Sequence, residues 1–313
     1  MSTEKRRLVY VLNPAAGQGR YLPDARRHAE EHRADLVHLT EAAGECTDFI
    51  AEACVKDPHT HFVVYGGDGT AGEAVNGIMR AGAGDLSRFT MMSAGSGNDF
   101  IRGASELTVP EGEDSIPLDL VMVNGRYAIN IANVGFDCAV VAASEALRRR
   151  RFMNNSLSYI CGVLTELSKK ETFRADIKLG GVVRFGEDAP TDLTLSGDFL
   201  LCAIGNLPFY GGGFKALPAA SPQDGMLDVL LVKDVTRTEF ISLVGGFRSG
   251  KHVDVETWSP QAKYAPYMDY FRCRSISFTG VKKLCLDGEI TPVTGVRAEA
   301  APRAIRYVPG DRI

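Results

Sequence analysis

The sequence has no Cys-x-x-Cys pair, no run of about 18 apolar residues and no excess of basic over acidic side chains. Each absence excludes something. Its seven cysteines are scattered singly, which removes zinc-finger spacing and a disulfide framework and reads as small core residues in a reducing compartment. Without a long apolar run no transmembrane helix is expected, and the polar, charged residues 1–7 predict no secretory leader. Thirty-five Lys and Arg stand against 39 Asp and Glu, a net charge of −4, so a nucleic-acid partner is not expected and any anion must be met locally. Repeats and low-complexity segments are also missing. The picture is a cytoplasmic protein that can still meet a membrane from its inner face. At 45% hydrophobic and 24% charged residues, 313 residues suffice to fold without a metal or disulfide staple.

Glycine is in excess, at 33 residues against the usual ~7%, and it is clustered. Over the first 120 residues short apolar runs alternate with helical patterns. Strands are predicted at 8–12, 36–39, 62–65 and 89–92, and helices from Pro23 to about Arg33, over 46–56, and after residue 70 with Ala74, Val75, Ile78 and Met79 inward. This β-α-β-α-β-α-β order implies a parallel sheet covered by helices. Beyond about residue 115 strands dominate: 118–123 and 127–131 joined by Asn124-Gly125, then 175–179, 193–195, 199–204, 227–232, 275–278 and 283–286. Helices are expected over 139–170 and 237–248. The fold class is therefore an α/β nucleotide-type domain with a mainly-β, antiparallel second domain. Residues 1–122 with a returning 300–313 form the first domain and 123–299 the second.

Three glycine-rich loops, 13–20, 66–70 and 94–99, each follow a parallel strand, the place where such sheets bind ligands. Glycines admit an anion close to the backbone, and the next helix aims its free N–H groups at it. Together the three predict a polyphosphate site. Asp68 would repel phosphate unless Mg²⁺ bridges carboxylate and phosphate oxygens; the bland alternative is that it caps the next helix. The match of 67–72 to Gly-x-Gly-x-x-Gly is accidental, because the next strand ends without an acidic residue. Late in the chain, Asp287-Gly288-Glu289 is either a hairpin turn or a general base beside a close-approach glycine. Asp224-Gly225-Met226-Leu227-Asp228 is either a turn or two carboxylates around a cation. Arg148, Arg149, Arg150 and Arg151 form a solvated helix end or a contact for anionic lipid headgroups. Gly211-Gly212-Gly213 is a lid or a connector. The six histidines show no ligand spacing.

In order, Asn13-Pro14-Ala15-Ala16-Gly17, Gly66-Gly67-Asp68-Gly69-Thr70 with Glu73, Gly95-Ser96-Gly97-Asn98-Asp99-Phe100, the 218–228 segment, and Leu286-Asp287-Gly288-Glu289 resemble the diacylglycerol-kinase catalytic family, in its bacterial soluble lipid-kinase branch. The Gly-Gly-Asp-Gly-Thr block alone is shared with NAD kinases and phosphofructokinases; the set is more specific. The resemblance implies a NAD-kinase-like nucleotide domain beside a β-sandwich, with the active site between them and 305–308 returning to the first sheet. It implies ATP over Asn13, Pro14, Ala15, Ala16, Gly17, Gly66, Gly67, Asp68, Gly69, Thr70 and Glu73, with Thr40, Ser96 and Asn98 adding contacts. Glu289 would be the base that deprotonates a lipid hydroxyl, with Asp68 beside it. Ser221, Asp224 and the Met226 carbonyl would hold Mg²⁺, and Asp99 and Asp287 would support the network. The sequence departs from the family at Ser96 for Thr, Ala94 for Pro and Gly72 for Asn. The expectation is an ATP- and Mg²⁺-dependent lipid kinase acting on diacylglycerol or a related lipid. The rivals are a NAD kinase-like phosphotransferase with a soluble acceptor and a catalytically idle regulator that binds nucleotide or lipid. A homodimer is the base-rate expectation.

Overall fold

The computed structural model describes residues 6–95, 97–136, 138–141, 172–187 and 189–313. Strands β1 (Leu8–Leu12), β2 (Leu36–Leu39), β3 (His61–Gly66) and β4 (Arg88–Ser93) lie side by side in the order β2-β1-β3-β4, all parallel. Helices α1 (Leu22–Glu31), α2 (Glu45–Lys56) and α3 (Asp68–Arg80) connect them. Apolar residues alternate toward both faces of β1 and β3. Val9, Val11, Phe62 and Val64 pack with Ile50, Val75 and Ile78 of α2 and α3, whereas Tyr10, Leu12, Val63 and Tyr65 pack with Ala25 and Ala29 of α1. Burial on both faces is what makes these strands read as unbroken apolar runs.

The second half is antiparallel. The order β16 (Glu289–Pro292), β15 (Lys283–Leu286), β7 (Ile131–Gly135), β9 (Thr191–Gly205), β8 (Phe173–Val182), β14 (Ser275–Thr279), β17 (Gly295–Tyr307) forms one continuous path. Strands β10 (Leu227–Lys233) and β13 (Met268–Cys273) extend it from β9. Helix α5 (Arg237–Ser249) covers this extension and opens with a Thr236/Glu239 capping box. Strand β17 joins the halves. Its first part pairs with β14, and its last residue, Tyr307, lies parallel to Phe89 of β4. Strand β5 (Ile116–Val123) runs antiparallel to it along nearly its whole length.

Two expectations need correction. Residues 193–195 and 199–204 are not two strands but parts of the 15-residue β9, because Gly197 stays extended opposite Ala175. The expected strand 127–131 is broken into β6 (Arg126–Ala128) and β7, for a reason given below. Strands β13 and β16, and residues 295–304 of β17, went unread. The helix expected over 139–170 is seen only at 138–141; the rest, with Arg148, Arg149, Arg150 and Arg151, lies outside the described residues.

Candidate active site

The ends of β1, β3 and β4 meet as a single cradle. The backbone N–H of Asn13 donates to the Tyr65 carbonyl at 3.0 Å, and its side-chain Nδ2 donates to Thr70 Oγ1 at 2.8 Å. The N–H groups of Ala94 and Gly95 both donate to the Gly66 carbonyl, at 3.0 and 2.9 Å. The loops approach so closely that a Cβ on Gly95 would lie 2.7 Å from Gly67 Cα, and one on Gly17, which has φ +55°, would lie 2.4 Å from the Ala94 carbonyl oxygen. Only glycine fits at either position. Thr40, just past β2, is held by its N–H on the Leu12 carbonyl, and Glu73 accepts the Gly44 N–H.

Asp68, Gly69 and Thr70 are not loop residues, as the sequence suggested, but the first turn of α3, with Gly67 at its N-cap. Asp68 does not cap its own helix either. Its Oδ1 accepts the Phe100 N–H of the short helix α4 (Asp99–Ala104) at 3.0 Å. Asp99, buried beside it, accepts the Gly212 N–H at 2.7 Å and Arg102 Nη1 at 2.5 Å. Burial, and then the Asp68 carboxylate, push Asp99 up to about 6 against these two donors. Asn98 sits at φ +54° with its buried Oδ1 unpartnered, an acceptor left for a ligand.

On the other side of the first α3 turn is a cleft of about 350 Å³, lined by Gly69, Gly72, Glu73, Asn76, Arg126 and Glu289 among others. Asp287 forms its floor. Its carboxylate accepts three consecutive backbone N–H groups, Ile129 at 2.8 Å, Asn130 at 3.1 Å and Ile131 at 2.9 Å. Presenting three amides to one carboxylate bends the chain at 129–130, which is why β6 and β7 are separate strands. Burial raises Asp287 to about 7, with the amides acting in the opposite direction and the Asp68 charge adding to the rise. A Cβ on Gly72 would stand 3.3 Å from Asp287 Oδ2, so glycine there lets the carboxylate pack against α3. Glu289 opens β16 at the mouth of the cleft. It is exposed and held by both Nη atoms of Arg126, at 3.2 and 2.5 Å. Asn76 of α3 fixes Arg126's hairpin by bonding both the N–H and the carbonyl of Tyr127.

The 221–228 turn hangs from Asp119 of β5, whose Oδ2 accepts the Gly225 N–H at 2.7 Å. Asp224 accepts the Met226 N–H and is paired with Arg272. Asp228 is fully buried, bonded to the Tyr270 hydroxyl at 2.6 Å and 3.6 Å from Arg272 Nε. Burial pushes it up to about 7 against the pull of Arg272. Among the described residues no three His, Cys, Asp or Glu side chains form a metal cluster.

Residues 7–129 match the family model of the diacylglycerol kinase catalytic domain, and residues 130–308 match that of the YegS C-terminal NAD kinase β-sandwich-like domain. The chain belongs to the diacylglycerol kinase catalytic family, in its YegS-like branch. It is 28% identical to "Probable lipid kinase YegS-like" of Shewanella frigidimarina over 87% of this chain and 83% of that protein. To "Diacylglycerol kinase" of Mycobacterium tuberculosis it is 26% identical over 80% and 81%. A crystal structure of a diacylglycerol kinase from Bacillus anthracis superposes with TM-score 0.64 over 98% of both chains at 19% identity, a likeness of fold.

In this lipid-kinase family member the expected nucleotide residues Asn13, Gly17, Gly66, Gly67, Asp68, Thr70 and Asn98 converge on the cradle, with Pro14, Ala15 and Ala16 on its first loop. Gly69 and Glu73 face the cleft. Ser96 lies outside the described residues. Glu289 and Asp287 share the cleft, while Ser221, Asp224 and Met226 form a separate turn under Asp119. Sequence reasoning missed Arg126, Asn76, Asp119 and Arg272. Only Arg126, next to the Asn124-Gly125 turn, carried a local signal. Among the described residues no helix is long and apolar enough to cross a membrane.

Proposed function

We propose that the chain transfers the γ-phosphoryl group of ATP, in the presence of Mg²⁺, to a hydroxyl of diacylglycerol or a related lipid. The observation that carries this reading is the first turn of α3, which borders the three-loop cradle on one side and walls the Glu289 cleft on the other. A donor in the cradle and an acceptor in the cleft would thus be separated by one helical turn. Phosphoryl transfer asks mainly for such positioning and for charge neutralisation. Glu289 takes the hydroxyl proton as the acceptor oxygen bonds to phosphorus and the bridging oxygen leaves with ADP. Arg126, gripping both carboxylate oxygens, fixes the direction in which Glu289 faces. Asp287 holds the turn that carries Glu289.

The residues fit a cation accompanying the nucleotide at Asp68 and Asp99. These are two carboxylates close enough in a buried place for one to raise the other, and a divalent ion relieves that repulsion. When bound, it neutralises phosphate charge. An arginine meets a carboxylate at both places, Arg102 at Asp99 and Arg272 at Asp224 and Asp228; what favours Asp68 and Asp99 is their position beside the nucleotide cradle, and the transfer described here runs without a metal at the turn of Ser221, Asp224 and Met226.

Incubation with γ-labelled ATP, Mg²⁺ and a total lipid extract in mixed micelles, with NAD in a parallel tube, tests the reading. Label in the organic phase supports it, and chromatography of the labelled spot names the acceptor. Label only in the NAD tube refutes it.

A further inference from the structure

The loop of residues 209–215 carries an unusual collection of cations. The Arg102 guanidinium of α4 lies over the Phe209 ring, 5.6 Å from its centroid, and Lys215 Nζ lies 5.7 Å from the same centroid. Arg248, in the last turn of α5, lies 5.9 Å from the Phe214 centroid, and its carbonyl accepts the Lys215 N–H at 3.3 Å. Three cations from three elements therefore crowd one short loop. Only Arg102 has an acidic partner, Asp99; among the described residues neither Lys215 nor Arg248 makes an ion pair. Aromatic faces offset a little of the mutual repulsion, but in a chain of net charge −4 the cluster is a local field that favours an anion.

One exposed apolar side chain stands next to the charges. Along α5, Phe240, Val244 and Phe247 turn inward with Leu243 and pack on the core, while Ile241, 58% exposed, stands on the outer face between Arg237 and Arg248. An exposed apolar residue flanked by cations on one helix face suits the boundary between headgroups and acyl chains. Because Asp99 holds Gly212 by its N–H, the loop bearing these cations is tied to the nucleotide cradle.

We propose that Arg102, Lys215 and Arg248, with the exposed face of α5, form a docking surface for an anionic lipid bilayer that brings the acceptor to the cleft. The proposal rests on the lipid-kinase reading above and adds to it where the membrane is met.

The test is co-sedimentation of the full chain with phosphatidylcholine vesicles, with and without phosphatidylglycerol, for wild type and Lys215→Gln/Arg248→Gln. Transfer to lipid in neutral mixed micelles is measured alongside. Each lost charge should weaken partitioning to the anionic vesicles about fivefold, the equivalent of about 1 kcal/mol, and the pair about twenty-five-fold. Wild-type binding should fall with salt, and micellar transfer should stay near wild type. If the double variant melts early, Arg248→Gln alone, an exposed change, gives the fivefold test. The proposal is overturned if the variant sediments like wild type, if binding is lost only on neutralising Arg148, Arg149, Arg150 and Arg151, or if wild type binds neutral and anionic vesicles equally. Absence of micellar transfer by wild type would instead count against the kinase reading.

Discussion

Replacing Asp287 by Asn removes one charge and no volume, so its effect isolates the carboxylate's role as an anchor. In the native protein Oδ1 accepts Asn130 and Ile131, and Oδ2 accepts Ile129. An amide keeps one acceptor oxygen. Placed as Oδ1 it retains two of the three bonds, but its NH₂ then meets the Ile129 N–H donor to donor. A buried donor left unsatisfied costs about 1–3 kcal/mol, which for a protein of this size corresponds to a Tm lower by about 1.5–5 °C. The bend at 129–130 and the 287–289 turn lose their common fastening, so Glu289 shifts relative to α3. A misplacement near 1 Å reduces transfer about a hundredfold. Differential scanning fluorimetry and steady-state transfer on the same preparation check both numbers. Asp287→Asn with unchanged Tm and unchanged kcat would refute the anchor argument.

Three further outcomes are expected. Arg272→Met leaves the buried Asp228 carboxylate uncompensated and should destabilise by about 3–5 kcal/mol in denaturant titration; a loss below about 1 kcal/mol would show that the pair is not buried in effect. Gly95→Ala puts a methyl 2.7 Å from Gly67 Cα, forces the second and third loops apart, and should weaken ATP binding at least tenfold by calorimetry, an unchanged Kd being the contrary result. Asp99, Asp228 and Asp287 are raised to about 6, 7 and 7, above the unfolded value near 3.9. The folded chain therefore holds more protons than the unfolded one between about pH 4 and 7, so stability is greatest at the acidic end of that window and falls as pH rises through it. Melting at pH 5.5 and 7.5 checks this, and a Tm that rises across the interval contradicts it.

How much of this was legible depends on sequence distance. Strands β1, β3 and β4 are buried on both faces, so they read as apolar runs, and their glycine loops announced the cradle. Strand β13 did not announce itself, because Asp269 and Arg272 interrupt its apolar residues; Arg272 is there for Asp224 and Asp228, more than 40 residues earlier. Residue 197 read as a break because glycine so often ends a strand, yet here the ladder passes through it. The Asp287-Gly288 pair looked like any tight turn, since the amides that give the aspartate its role lie at 129–131. Likewise Glu289 could be named from its motif, but Arg126, its partner across the cleft, could not. Residues acting within one strand-loop-helix unit were visible; those acting through a long-range contact were not.

The central claim is that Glu289 acts on the acceptor hydroxyl and not on the nucleotide. Single-turnover transfer by Glu289→Gln, with ATP affinity measured on the same protein, tests it most directly. Transfer should fall about a hundredfold or more while ATP affinity stays within about twofold of wild type. Normal turnover in Glu289→Gln, or a loss explained entirely by weakened ATP binding, would contradict it.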